Sequence, residues 1–283
     1  MNDVARTAVV TGANGGIGLE TARGLAARGY HVVLLCRNPE RAAAAKADID
    51  GSVSDASTDV VIADLALQSD VRRAAKEIEQ SLDHLDLLVN NAGIQLRKLT
   101  RTPEGHDMLL AVNHLGPFLL TNLLLPQLKA SAPSRIVNVA SDAHKMGKLR
   151  LDTLDRPRSY GLIGMPGYGA TKLMNILFTR ELSGRLEGTG VTANSVHPGT
   201  VNTNLGNPPK AIKMLLGPFF RNAVEGASTS LFVATDPSLD GVSGHYYVSG
   251  KLADKKLSKQ ARDDELAAEL WRRTEALVGL DAS

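Results

Sequence analysis

The sequence predicts an α/β protein: a doubly wound parallel sheet forming a single domain over residues 1–283. Two observations predict it. Short, continuous apolar runs such as "TAVV", "VVLL" and "RIVNVA" alternate with longer stretches of helical character. Continuous rather than alternating apolar strands belong to a parallel sheet covered on both faces. The first run passes into "TGANGGIG", residues 11–18, with four glycines in eight positions. Glycine inside a regular element costs about 0.5–1 kcal/mol relative to alanine. Four together imply a tight turn or a ligand that approaches the backbone.

The elements follow in order. Residues 7–11 read as a buried strand and 16–29 as a helix ending at Gly29. A second strand (31–37) precedes a helix over 39–48, with Pro39 in its first turn. A third strand (59–64) leads to a helix over 69–80, expected to be capped by Ser69. A fourth strand and its turn (85–93) precede a long helix over 105–129, then a fifth strand over 134–141. A helix over 167–188, a sixth strand (191–199), a helix (222–235), a short strand (244–250) and a charged C-terminal helix (257–277) complete the chain. Two loops are long, 142–166 and 199–221. Long loops in a compact domain cover sites, which in such sheets lie at the carboxyl ends of the strands. The second loop is the expected substrate lid. Its Ile212, Met214, Leu215, Leu216, Phe219 and Phe220 suit a bulky apolar substrate, and equally suit packing on the core or on a partner subunit.

Composition narrows the class. With 43% hydrophobic and 22% charged residues, a large core is expected and global disorder is not. The formal charge of +2, with acids and bases interspersed, gives no reason to expect nucleic acid or an anionic membrane. The single cysteine, Cys36, excludes an internal disulfide and reads as a small buried apolar residue. The histidines show no ligand spacing, so no metal is expected. "MNDVART" lacks a signal peptide's apolar stretch, and the leucine-rich region 108–128 is broken by Asn113, His114, Pro117, Asn122 and Pro126. No membrane span and a cytoplasmic location are expected.

The glycines join the first strand to the first helix with the spacing Gly12-xxx-Gly16-x-Gly18. There they permit a sharp turn and bring backbone close to a pyrophosphate at the helix N-terminus. The spacing is neither G-x-G-x-x-G nor a P-loop. An NAD site usually presents an acid to the ribose about 20 residues later. Here that place reads Cys36-Arg37-Asn38. An arginine's planar fork suits a 2′-phosphate, so Arg37 favours NADP over NAD, against the alternative of a simple surface arginine.

"YGATK" sets Tyr168 and Lys172 at i and i+4, on one helical face. Ser141 closes the fifth strand, "NNAG" (90–93) closes the fourth, and Asn113 stands in an otherwise apolar helix. Together with TGANGGIG, Asp64 and "HPG" (197–199), these stretches resemble the short-chain dehydrogenase/reductase family in order over most of the chain. "LLCR", "VNHLGPFLLT" and "YGATKLMNILFTREL" resemble its retinol-dehydrogenase-like branch. The resemblance implies a Rossmann fold and an NADP(H)-dependent interconversion of a small-molecule carbonyl and alcohol by hydride transfer. It implies that Tyr168 is the acid or base, that Lys172 lowers its pKa and holds the nicotinamide ribose, that Ser141 holds the carbonyl oxygen, and that Asn113 anchors a relay water. It implies cofactor contacts at Gly12, Asn14, Gly16, Ile17, Gly18, Arg37, Asp64, Leu65, Asn91, Ala92, Gly93, Tyr168, Lys172, Pro198, Gly199 and Val201, with Asn90 beside them. A tyrosine active near neutrality needs its pKa lowered by about 2–3 units, or about 3–4 kcal/mol. One ammonium some 4 Å away supplies about 4 kcal/mol at an effective dielectric near 20.

Other readings compete. "SDAH" (141–144) suggests a hydrolase, but there is no G-x-S-x-G elbow, and adjacent residues do not form a triad by adjacency. His197 reads as a loop-shaping neighbour of Pro198. An epimerase or dehydratase of the related extended type would have different glycine spacing. A non-catalytic nucleotide-binding sensor of the same fold would need a broken constellation, and all four positions are filled. The helices over 105–129 and 167–188 are apolar over broad arcs. In the family such helices often pair across a two-fold axis, so a homo-oligomer is expected.

Overall fold

The computed structural model describes residues 5–157, 159–161, 163–199 and 222–280. Its strands are β1 (Thr7–Thr11), β2 (His31–Cys36), β3 (Ser57–Ile62), β4 (Leu87–Asn90), β5 (Ser134–Val139), β6 (Val191–His197), β7 (Tyr246–Val248) and β8 (Lys251–Leu252). They form one sheet in the order β3-β2-β1-β4-β5-β6-β7-β8. Neighbours are parallel through β7, and β8 alone runs antiparallel. The order reverses between β1 and β4, so the chain leaves their carboxyl ends in opposite directions and opens a crevice there.

The helices are α1 (Gly16–Ala26), α2 (Pro39–Ser52), α3 (Gln68–Ser81), α4 (Met108–Ala130), α5 (Met165–Arg185), α6 (Ala223–Thr235) and α7 (Asp264–Val278). Val9 of β1 packs into a core with side chains of α3, α4, α5 and α7, while Ala8 and Val10 join a second core with those of α1, α2 and α6. Every residue of β1 is therefore buried, which is why its sequence is an unbroken apolar run rather than an alternation. The doubly wound α/β architecture is the one the sequence predicts.

Several boundaries differ, and each difference has a cause outside the local sequence. Ser69 does not cap α3. The carboxylate of Glu104 accepts from Gln68 N at 2.7 Å and from Ser69 N at 3.2 Å, so a distant loop supplies the cap. The last helix starts at Asp264 rather than 257, where Asp263 accepts from Leu266 N at 2.9 Å; residues 254–262 contain two short 3₁₀ turns instead. Strand β5 ends at Val139, leaving Ser141 two residues beyond the ladder. Most of the expected lid, including Val201, lies outside the described residues.

Helix α4 is long and apolar enough to cross a membrane, but 78% of its most apolar window is buried within the protein. Helix α7 closes over α4 and α5. The Trp271 ring lies 4.7 Å from Phe118 and 5.7 Å from Phe178, and the Arg185 guanidinium sits 4.3 Å above it. This face of α4 and α5 is covered by the chain's own helix α7. Trp271→Ala should cost about 3–5 kcal/mol, as expected for emptying a large aromatic site. Chemical denaturation measures this, and an unchanged midpoint would mean that α7 does not hold the core together.

Candidate active site

The glycine turn comes first. Gly12 has φ +67°, and a Cβ there would lie 3.0 Å from Ala92 Cα. A Cβ on Gly18 would fall 2.3 Å from Gly12 O. The β1 turn, the first turn of α1 and the β4 loop therefore touch with no room for a methyl group. Thr11 fastens the contact, its Oγ1 accepting from Asn91 N at 3.0 Å and Ala92 N at 2.9 Å, while Asn91 Nδ2 donates to Thr11 O at 2.8 Å. Thr11 was not singled out in the sequence, and its place at the strand end was the available signal. Helix α1 starts with neither a side-chain cap nor an acid in its first turn. Its N-terminal amides are left to an anion, so the turn fits a dinucleotide diphosphate.

At the end of β2, Arg37 Nη1 lies 3.8 Å from Asp64 Oδ2, with the arginine side chain 69% exposed. The expected phosphate reader and the expected adenine contact are thus neighbours. Asp64 also accepts from Ala66 N at 2.9 Å, which shapes the turn through buried Leu65. A residue the sequence reading missed stands beside them: Arg41 Nη2 lies 3.4 Å from where a Cβ on Gly15 would be. A guanidinium therefore lies against the glycine turn itself. Asn90 is buried, its amide committed to Thr121 Oγ1 at 2.9 Å and Asn138 Oδ1 at 2.8 Å, so it holds the core rather than facing a ribose.

The four expected catalytic positions converge. Asn113 lies in a π turn, Ala111–Leu115, of α4, a distortion common at functional sites. Its Oδ1 accepts from Ile94 N at 2.7 Å, and its Nδ2 donates to Ile94 O at 2.9 Å and Thr171 Oγ1 at 3.0 Å. These bonds clamp the β4 loop to α5. A Cβ on Gly93 would meet Asn113 Oδ1 and Lys172 Nζ, each at 3.4 Å. Lys172 is 2% exposed; its Nζ donates to Val139 O at 2.8 Å and lies 5.6 Å from the centre of the Tyr168 ring. Ser141 hydrogen-bonds with the Tyr168 hydroxyl. Pro198 and Gly199 follow β6 at the same edge of the sheet.

Burial sets the electrostatics of the pair. Burial pushes the Tyr168 phenol up to about 12, and the Ser141 hydrogen bond only partly opposes it. Burial pulls Lys172 down to about 8. Burial thus disfavours the charged form of each, with Nζ 5.6 Å from the centre of the phenol ring. "SDAH" forms no triad: His144 Nδ1 pairs with Ser141 O, while Asp142 pairs with Lys145 and accepts from Tyr246 Oη.

A nucleotide crevice at the switch point, beside a serine–tyrosine–lysine cluster, defines an oxidoreductase of the short-chain type. Residues 6–153 match the short chain dehydrogenase family model, and the chain belongs to that family, in its retinol-dehydrogenase-like branch. It is 41% identical to human (Homo sapiens) retinol dehydrogenase 14, over 97% of this chain and 87% of that one. It is 44% identical to human dehydrogenase/reductase SDR family member 13, over 97% of this chain and 74% of that one. Among solved structures, an uncharacterized protein from Mycobacterium paratuberculosis superposes with TM-score 0.79 at 34% identity, covering 97% of this chain and 93% of the other. The chain is an enzyme of carbonyl/alcohol redox chemistry that uses a nicotinamide dinucleotide. The alternative of a non-catalytic sensor finds no support.

Lys172 carries its charge below its pKa and loses it above. Dinucleotide affinity should therefore be strongest below pH about 8 and weaken as pH rises through that value. Binding titrations across that range test this, with Lys172→Met expected to abolish the step. A flat wild-type profile would remove Lys172 from the binding site.

Proposed function

We propose that this chain is an NADP(H)-dependent oxidoreductase that interconverts a carbonyl and an alcohol on a bulky apolar substrate. One observation carries the reading: Ser141, Tyr168 and Lys172 meet at the carboxyl edge of the sheet, the same edge that carries the glycine turn with Arg41 against it and Arg37 at the end of β2. When bound, the nicotinamide supplies or accepts the hydride. The chain does the rest. Ser141 holds the substrate oxygen. A phenol at about 12 stays protonated, so Tyr168 is poised to give a proton to a carbonyl oxygen as charge develops there. In the oxidative direction it must accept one, which requires Lys172 to be charged beside it. Lys172 also holds the ribose. Asn113 keeps the Ile94 backbone, and with it Gly93, against the same space.

Preference for the phosphorylated cofactor rests on the two arginines with no acid replacing them at the end of β2. Asp64 shares Arg37, and at 69% exposure that pair is easily exchanged for a phosphate partner. An apolar substrate is supported by Met146 and Ile163, 53% and 58% exposed, on the segments that carry Ser141 and precede Tyr168. Relatives named retinol dehydrogenases support the same reading.

Tyr168→Phe should lower turnover by about a hundredfold or more while leaving NADPH binding nearly intact, as loss of a general acid predicts. Cofactor oxidation against a panel of ketones and aldehydes measures it; near-normal turnover would assign the acid elsewhere. Arg37→Asp should shift the ratio of NADPH to NADH affinity toward NADH. An unchanged ratio in that variant and in Arg41→Ala would show that neither arginine reads the phosphate.

A further inference from the structure

One buried histidine takes no part in the chemistry above. His144 follows Ser141 by three residues and is 0% exposed. Ser141 itself lies beyond the β5 ladder and caps the 3₁₀ turn Asp142–Met146, its Oγ accepting from Ala143 N at 3.1 Å. Its carbonyl turns to His144. Ser141 O accepts from His144 N at 3.0 Å and lies 2.8 Å from His144 Nδ1. On the other side of the ring, Nε2 accepts from Ser258 N at 3.3 Å, between the two 3₁₀ turns that precede α7. The ring stands edge-on to that of Tyr246 on β7, with centroids 5.6 Å apart, and the Tyr246 hydroxyl donates to Asp142 Oδ1 at 3.0 Å.

The partners fix the proton on the ring. A backbone N–H can only donate, so Nε2 offers Ser258 its lone pair and the single proton of the neutral ring sits on Nδ1. Nδ1–H then donates to Ser141 O. Burial pulls His144 below its usual range, which keeps the ring neutral near neutrality. An imidazole is costly in a dry interior unless its nitrogens are bonded, and here both are. A leucine of similar bulk would fill the space and make neither bond.

We propose that His144 is a positioning residue for Ser141: its Nδ1–H ties the Ser141 carbonyl to the segment that precedes α7 and so sets the Ser141 hydroxyl against Tyr168. The inference rests on the reading of Ser141 and Tyr168 as active-site partners. A carbonyl fixed by two donors leaves χ1 as the freedom of the hydroxyl, and the bond from Ala143 N restricts χ1. Gln260 fastens the same loop further on, its Oε1 accepting from Leu149 N at 3.3 Å and its Nε2 donating to Leu149 O at 3.2 Å. Loss of the ring proton would leave Ser141 O with a bond only inside its own 3₁₀ turn, and the peptide plane that carries the serine would be free to rock.

The test reads the serine–tyrosine contact by magnetic resonance in the full-length protein, with melting temperature recorded for each variant. Nitrogen-labelled histidine should show His144 as the Nδ1–H tautomer; an Nε2–H ring overturns the proposal. Tyrosine labelled at Cζ reports the phenol, with the Tyr168 signal assigned by its absence in Tyr168→Phe. Ser141→Ala gives the signal of the phenol without its serine. His144→Leu should move the signal in the same direction, about half as far or more, and should add nothing in the Ser141→Ala background, because it acts through Ser141. His144→Asn, whose amide N–H reaches the place of Nδ1–H, should stay nearer wild type than His144→Gln, which reaches the place of Nε2. The proposal is overturned by a signal that Ser141→Ala or folded His144→Leu leaves in place, by additive effects in the double variant, or by equal effects of the Asn and Gln variants. Should His144→Leu not fold, the tautomer and the Asn and Gln pair decide. With a carbonyl substrate, His144→Leu should lower turnover by about tenfold or more, the scale of a misplaced catalytic group, while NADPH affinity holds. The resonance measurements need neither cofactor nor substrate, so a wild-type protein inactive on every carbonyl compound would overturn the catalytic reading and leave this result standing.

Discussion

Lys172 carries its amine into the protein interior, where Val139 O at 2.8 Å is the acceptor beneath it and no carboxylate compensates its charge. Desolvation of a lone cation is costly, and the pull of Lys172 down to about 8 is the direct expression of that cost. The arrangement makes the site conditional. Tyr168 at about 12 is a proton donor at rest. It becomes a better base while the neighbouring Lys172 carries its charge, which burial limits to pH below about 8. Acid and base behaviour of one phenol thus hang on the protonation of a residue one helical turn away.

Helix α4 shows how the surroundings are tied to that point. Successive residues on a helix point about 100° apart, so neighbours serve different directions. Asn113 reaches forward to Ile94 and Thr171, while His114 reaches to Thr274 of α7. The π turn at Ala111–Leu115 carries both. Asn113 and His114, adjacent in this apolar helix, are thus committed to different elements of the frame.

What the sequence made legible followed from local rules. Strand positions came from unbroken apolar runs, the helix after β2 from its proline, and the cluster of Ser141, Tyr168 and Lys172 from spacing and strand ends. What was hidden depended on contacts between distant residues. Glu104 caps α3 from 36 residues away in sequence. Strand β8 is too short to show a pattern. The fate of Asn90 depends on Thr121 and Asn138, and the direction of the Tyr168 shift depends on its burial in the fold. Spacing brings Tyr168 and Lys172 to one face, but it does not give their solvation.

One residue joins both kinds of information. In "YGATK" the position after the tyrosine is glycine, which a helix interior disfavours by roughly 1 kcal/mol. In the fold, a Cβ on Gly169 would lie 2.3 Å from Ala143 O, and one on Gly147 would lie 2.2 Å from the Gly169 carbonyl carbon. The turn that begins at Ser141 therefore rests directly on the helix backbone next to Tyr168. That contact lets a serine from the end of β5 hydrogen-bond a tyrosine from α5. A larger residue at either glycine would part the two hydroxyls before it disturbed any other group in the site. The helix gives up intrinsic stability at Gly169 in return for the alignment of the Ser141 and Tyr168 side chains.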